Sequence, residues 1–272
     1  TAEATGSTLK SREQLSHSRL TLFKSALRTF TKTTECTIFY SQGASMFKRL
    51  SLYTLLLCLV PFFIWGISYQ WHGNSQLTEA DYWLYLLTET GSVPYALITC
   101  VLFALLFAFL FKNPKQWILG VIVMGISVIA TQAAKTGAKA LFEEPRPFTV
   151  YLAEQTHSTP ENFYKYDRTL RAEIAKNFYS MDAITPAWLV HHYENETGYS
   201  FPSGHTIFAA TWLMLAVGFT QLLGNRSFKA KLLVAGIAVW GLLMLISRVR
   251  LGMHYPIDLL VATLLAWLIN SI

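Results

Sequence analysis

Six long stretches of this chain contain no Asp, Glu, Lys or Arg, and that limits its fold more than any other feature. They run over 50–69, 90–111, 116–134, 206–225, 232–247 and 259–272. A helix needs roughly 20 apolar residues to cross about 30 Å of hydrocarbon, and most of the six approach that length. The last is shorter and reads as a span cut short at the chain end. The pattern predicts an all-α fold, a polytopic membrane bundle of six transmembrane helices. Composition agrees: 53% of residues are hydrophobic and 14% charged, against roughly a quarter charged in a soluble domain.

Residues 1–45 differ. They are rich in Ser, Thr, Lys and Arg, with Lys10, Arg12, Arg19, Lys24, Arg28 and Lys32, and hold no sustained apolar run. They read as a basic, disordered extension, and Met46 opens the membrane domain of 46–272. Between the third and fourth runs lies a polar segment, about 148–204, too long for a connector and with helical stretches such as 166–178. It predicts a small helical cap outside the bilayer.

Orientation follows from loop charge. Lys48 and Arg49 precede the first run, Lys112 and Lys115 join the second to the third, and Arg226, Lys229 and Lys231 join the fourth to the fifth. The 70–91 loop holds Glu79, Asp81 and Glu89 with no Lys or Arg. The positive-inside rule places the N-terminus in the cytoplasm. The end of the third run, the cap, the start of the fourth and the turn between the fifth and sixth then share the outer, non-cytoplasmic face. The net charge of +6 lies at the ends of apolar runs, so it marks orientation and does not point to nucleic acid. Cys36, Cys58 and Cys100 form no disulfide framework or metal pattern.

Three polar clusters fall on that outer face: KALFEEPRP with Lys139 and Arg146, FPSGH with Ser203, Gly204 and His205, and SRVRLGMHYPID with Arg248, His254 and Asp258. Three cations at a membrane edge are costly unless an anion meets them. A multiply charged oxyanion suits Lys139, Arg146 and Arg248. Ser203 and Gly204 stand where the fourth run begins, and backbone N–H groups at a helix N-terminus favour anions. His254 and Asp258 are four apart. On a helix they share a face, so the carboxylate fixes the imidazole and leaves the other ring nitrogen free to attack. His205 has no carboxylate at a matching spacing and suits a general acid. Glu143 and Glu144 read as ion-pair partners of the cations, without a catalytic role. Lys135, Arg250, His191 and His192 read as interfacial or structural groups. No HExxH or carboxylate cluster suggests a metal.

These clusters resemble the signature of the type 2 phosphatidic acid phosphatase superfamily: K-x6-RP at Lys139 to Pro147, PSGH at Pro202 to His205, and SR-x5-H-x3-D at Ser247 to Asp258. The six-run layout is similar to the family's membrane branch, and EEPRPF, ETGYSFPSGHT and LGMHYPIDL carry a closer likeness to its bacterial members. The resemblance implies a lipid phosphatase without metal or cofactor. His254 forms a phosphohistidine, Asp258 orients it, and His205 protonates the leaving group and then activates water. Lys139, Arg146, Ser203, Gly204 and Arg248 hold the phosphoryl oxygens. Implied substrates are phosphatidylglycerophosphate, phosphatidic acid, lysophosphatidic acid and undecaprenyl pyrophosphate. The implied partners are these lipid phosphates and the bilayer, with no obligate protein partner. A vanadate-dependent peroxidase and a non-catalytic lipid binder are the competing readings. The apolar runs oppose the first, and the complete set of histidines and Asp258 opposes the second.

Overall fold

A computed structural model of the chain describes residues 43–75 and 77–271. The extension expected at 1–45 lies outside them, except that its last three residues open the first helix. Every regular element among the described residues is a helix. Helix α1 is Gly43–Gly66. It is followed by α2 Glu79–Glu89, α3 Tyr95–Leu106, α4 Pro114–Lys139, α5 Pro147–Gln155, α6 Pro160–Tyr164, α7 Arg168–Met181, α8 Ala187–Asn195, α9 Gly204–Leu222, α10 Phe228–Arg250 and α11 Pro256–Ser271.

Each apolar run becomes a helix. Four of them, α1, α4, α9 and α10, are long and apolar enough to cross a membrane; α11 and α3 with its 3-10 extension to Leu110 are shorter. Starts are set by local chemistry. Asn113 caps α4, its side chain accepting from the Gln116 N–H at 3.0 Å, with Pro114 in the first helical position. Ser227 caps α10 in the same way. Such caps satisfy donors that the helix cannot. Helix α9 is the most enclosed of the long helices and packs on α4, α10 and α11. Trp212 on α9 is met edge-on by Phe103 and Phe107, and Phe103 also by Trp240 of α10. By contrast α1, α3 and α4 leave Leu55, Phe63, Leu97, Val101, Ile122 and Ile129 exposed, a surface that suits hydrocarbon better than water.

Two parts go beyond the sequence reading. The acidic stretch 70–91, read as a loop, contains α2. Thr78 opens it with a capping box, its N–H donating to Asp81 Oδ2 at 2.6 Å. Arg250 of α10 then grips Asp81 with two bonds, Nε to Oδ1 at 2.7 Å and Nη2 to Oδ2 at 3.0 Å. Arg250 is therefore the anchor of α2 and not simply an interfacial cation. The polar segment forms α5 to α8 around a core of its own. Phe148 stacks on Tyr193 with ring centroids 4.5 Å apart. The buried Tyr179 hydroxyl donates to the Phe148 carbonyl at 2.7 Å. Tyr193 donates to the Leu251 carbonyl at 3.1 Å, which ties this layer to the α10–α11 turn. Gly252 makes that turn possible: its φ is +68°, and a Cβ there would stand 2.7 Å from Trp71 Cδ2.

Candidate active site

The three polar clusters meet where four helix ends converge. Lys139 is the last residue of α4, Gly204 the first of α9, Arg248 lies in the last turn of α10 and Asp258 in the first of α11. Arg146 caps α5. Lys139, Arg146, Gly204, His205 and His254 line one cavity of about 790 Å³, whose wall also includes the apolar Leu97, Cys100, Val128 and Phe208.

His254 stands two residues ahead of α11, so its pairing with Asp258 runs through the turn rather than along a helix face. The contact forms all the same: His254 Nδ1 lies 3.0 Å from Asp258 Oδ2. That oxygen also accepts from the Tyr255 N–H at 3.0 Å and from the Ser200 hydroxyl. Ser200 Oγ is 3.2 Å from His254 Nδ1 as well. Asp258 is fully buried and His254 nearly so. Burial, then the charges of Arg146, Arg248 and Lys139, hold the His254 imidazolium far below its ordinary pKa, so the ring is neutral near pH 7. A neutral imidazole with Nδ1 tied to a carboxylate presents Nε2 as a nucleophile.

The arginines carry the unsatisfied donors of the site. Arg248 is completely buried. Its Nη1 donates to Thr88 Oγ1 at 2.7 Å and to His192 Nε2 at 3.1 Å. Arg146 donates from Nε to the Gly198 carbonyl at 2.7 Å and from Nη2 to Glu196 Oε2 at 2.8 Å. Three further guanidinium nitrogens, Arg146 Nη1, Arg248 Nε and Arg248 Nη2, are buried without a hydrogen-bond partner. Buried donors are rarely left so, and a tetrahedral oxyanion satisfies several at once. Lys139 donates to the carbonyls of Tyr199 and, at 3.1 Å, Ser200. Ser203 is engaged in structure: its hydroxyl accepts from the Thr206 N–H at 3.3 Å, and its own N–H donates to the Asp258 carbonyl at 3.3 Å. Gly204 faces the cavity, and a Cβ there would come within 3.0 Å of Lys135 Cδ.

Several groups in the site escaped the sequence reading. Glu196 is the main one. Beside its bond to Arg146, its carboxylate lies 4.0 Å from Arg248 Nη2 and 3.9 Å from His205 Nε2. His205 therefore does have a carboxylate nearby, supplied by the polar layer. Burial opposes ionisation of Glu196, but Arg146, His205 and Arg248 hold its pKa well below the usual carboxylate range. Ser92 Oγ lies 2.9 Å from His205 Nε2. His192 is buried between Arg248 and Glu89, its Nδ1 3.1 Å from Glu89 Oε1, while the adjacent His191 pairs with Glu194 on the surface. Lys135 also lines the cavity. No local pattern announces these residues, because the partners of Ser92 and His192, and the arginines beside Glu196, lie 50 or more positions away.

A helix bundle suited to a bilayer, with a buried cation cluster beside a neutral, carboxylate-backed imidazole, defines an oxyanion-handling membrane protein. The chain belongs to the PAP2 superfamily, whose profile matches residues 119–271. It is 98% identical over 227 residues, 84% of this chain and 94% of its relative, to phosphatidylglycerophosphatase B of Haemophilus influenzae. It is 35% identical over 233 residues to the proteins of the same name from Escherichia coli K12 and Shigella flexneri, in each case across 84% of this chain and 88% of the relative.

Proposed function

We propose that this lipid phosphatase hydrolyses phosphatidylglycerophosphate, and also phosphatidic acid, lysophosphatidic acid and undecaprenyl pyrophosphate, through a phosphohistidine on His254. The observation that carries the reading is the set of three buried guanidinium nitrogens on Arg146 and Arg248 that have no hydrogen-bond partner beside the His254–Asp258 pair.

The phosphoryl oxygens bind Lys139, Arg146, Arg248, the backbone of Gly204 and the hydroxyl proton of Ser203. His254 Nε2 attacks phosphorus and the P–O bond to the leaving group breaks. His205 gives that oxygen a proton. The charge gained by the imidazole is balanced by Asp258. Water, deprotonated by the now neutral His205, then attacks phosphorus; the P–N bond breaks, and His254 and inorganic phosphate are released. The cations offset charge on the equatorial oxygens throughout, which is the main demand of phosphoryl transfer. The apolar part of the cavity wall, Leu97, Cys100, Val128 and Phe208, suits the first carbons of a lipid chain.

In this reading all six apolar helices span a bacterial inner membrane, residues 46–272 form the enzyme domain, and α5 to α8 cap the site on the periplasmic side. The loop charges support that orientation. The test is His254→Ala in the purified full chain. Phosphate release from phosphatidylglycerophosphate falls to background, and radiolabelled phosphate no longer becomes trapped on the protein by rapid alkaline quench. Undiminished turnover or labelling rejects the nucleophile.

A further inference from the structure

Asp258 carries one unexplained atom. Its Oδ2 accepts from Ser200, the Tyr255 N–H and His254. Its Oδ1 is buried without any donor among the ordinary hydrogen-bonding groups. The side chain within hydrogen-bonding reach of Asp258 on that account is another carboxyl, Glu144. Two carboxylates cannot bond unless one holds a proton. Three donors already favour the charge on Asp258, so the proton belongs to Glu144.

We propose that Glu144 is a positioning residue for the reaction, its carboxylic acid O–H donating to Asp258 Oδ1 so that the pair holds one proton and one negative charge behind His254. This deepens the phosphohistidine reading and rests on it. The pair's single charge matches the single positive charge that the imidazole gains on phosphorylation, and no proton need leave the pair during the cycle. Burial and the Asp258 charge raise the Glu144 pKa to about 7. Glu144 is pinned from both ends: its carbonyl accepts from the Ser200 N–H at 2.7 Å, and Ser200 in turn donates to Asp258.

The surroundings give this proton its own route to water. Glu144 and His254 line a second cavity of about 740 Å³, bounded also by Trp71, Tyr151, Glu154 and Tyr255. Neither Arg146 nor His205 borders it. The shared proton therefore exchanges from the side of the imidazole opposite the cation cluster. The other titratable groups around the pair are His254 and Tyr255 of the turn and Lys139 of α4, with Glu154 of α5 and Tyr164 of α6 beyond them against Tyr255. None of these donates a hydrogen bond to Asp258 Oδ1.

The experiment compares E144A, E144Q and H254A with the parent chain, full length in detergent, on phosphatidylglycerophosphate. An orienting partner one step removed from the reacting group is worth roughly 10- to 100-fold. E144A lowers kcat by about tenfold or more with KM within about twofold. E144Q recovers most of that loss, because its amide still donates to Oδ1. An amide does not titrate, so the fall of kcat on the alkaline side, which in the parent begins as Glu144 ionises, moves to higher pH in E144Q. Parental kcat in E144A, or an E144Q no better than E144A with an unmoved alkaline limb, overturns the assignment. Should E144A fail to fold, the E144Q pH profile decides. Activity in H254A rejects the nucleophile itself; an inactive H254A beside unaffected Glu144 variants rejects only the role of Glu144.

Discussion

Glu196 sits where a substrate's phosphoryl group would compete with it, so removing its charge should tighten phosphate binding. Its carboxylate bonds Arg146 at 2.8 Å and lies within 4.0 Å of Arg248 and 3.9 Å of His205. The side chain is 21% exposed, so solvent screens the two longer contacts and the direct bond to Arg146 dominates. A hydrogen bond to a charged group contributes about 1.5–3 kcal/mol net. An arriving phosphate must displace that bond or tolerate the carboxylate beside it. Glu196→Gln keeps the shape and removes the charge, so inorganic phosphate should bind about 10- to 150-fold more tightly. The assay is the inhibition constant of inorganic phosphate against turnover of phosphatidylglycerophosphate at neutral pH. That constant falls by at least about tenfold, and kcat falls with it as product leaves more slowly. An unchanged or larger inhibition constant would refute the idea that Glu196 and phosphate share the arginines.

Gly91 is the close neighbour of His205: a Cβ there would lie 2.8 Å from His205 Cδ2 and 3.3 Å from Met244 Cε. Gly91→Ala must turn an imidazole already bonded to Ser92, and misplacements of about 1 Å cost up to 10²-fold; kcat should fall at least about tenfold while thermal unfolding shifts by only a few degrees. Asp81→Asn removes the partner of Arg250 and should cost about 2 kcal/mol, read as a lower melting temperature. Burial raises the Asp81 pKa, but its bonds from Arg250 and Thr78 more than offset that and hold it below the ordinary 3.8. A depressed carboxyl stabilises the fold above its unfolded value and loses that contribution as pH falls through the folded one. The gap between variant and parent should hold steady from about pH 5 upward and narrow progressively as pH falls below the ordinary 3.8.

Much of the site was legible in the sequence, because the decisive groups lie at the ends of long apolar helices. Parity of the spans placed Lys139, Gly204, Arg248 and Asp258 together, and all four stand at helix ends that converge. The spacing of His254 and Asp258 gave the right partner by a slightly wrong route, since a turn rather than a helix joins them. What stayed hidden came from two polar pieces. Helix α2 is short, its apolar stretch is bounded by Asp81 and Glu89, and its capping box at Thr78 sits in a stretch whose charge also sets orientation. Glu196 and His192 lie in the polar layer, where many carboxylates and histidines compete for attention. Only tertiary contact distinguishes the buried His192 from the exposed His191. Lys135 reads as an interfacial cation and Glu144 as an ion-pair partner of the cations for the same reason: a single charge near a membrane edge is ambiguous until its neighbours are known.

The antiparallel order of the bundle has an electrostatic consequence. Aligned peptide dipoles leave about half a positive charge at a helix N-terminus and half a negative charge at its C-terminus. Helices α4 and α10 arrive by their C-termini, and those ends bear Lys139 and Arg248. Helices α9 and α11 leave by their N-termini, and those ends bear Gly204 and the carboxylate of Asp258. Each charged side chain is thus matched to the backbone field of the helix that carries it. Reversing α4, α10 or α11 would set its macrodipole against its own charged side chain, so up-down connectivity and side-chain charge constrain each other.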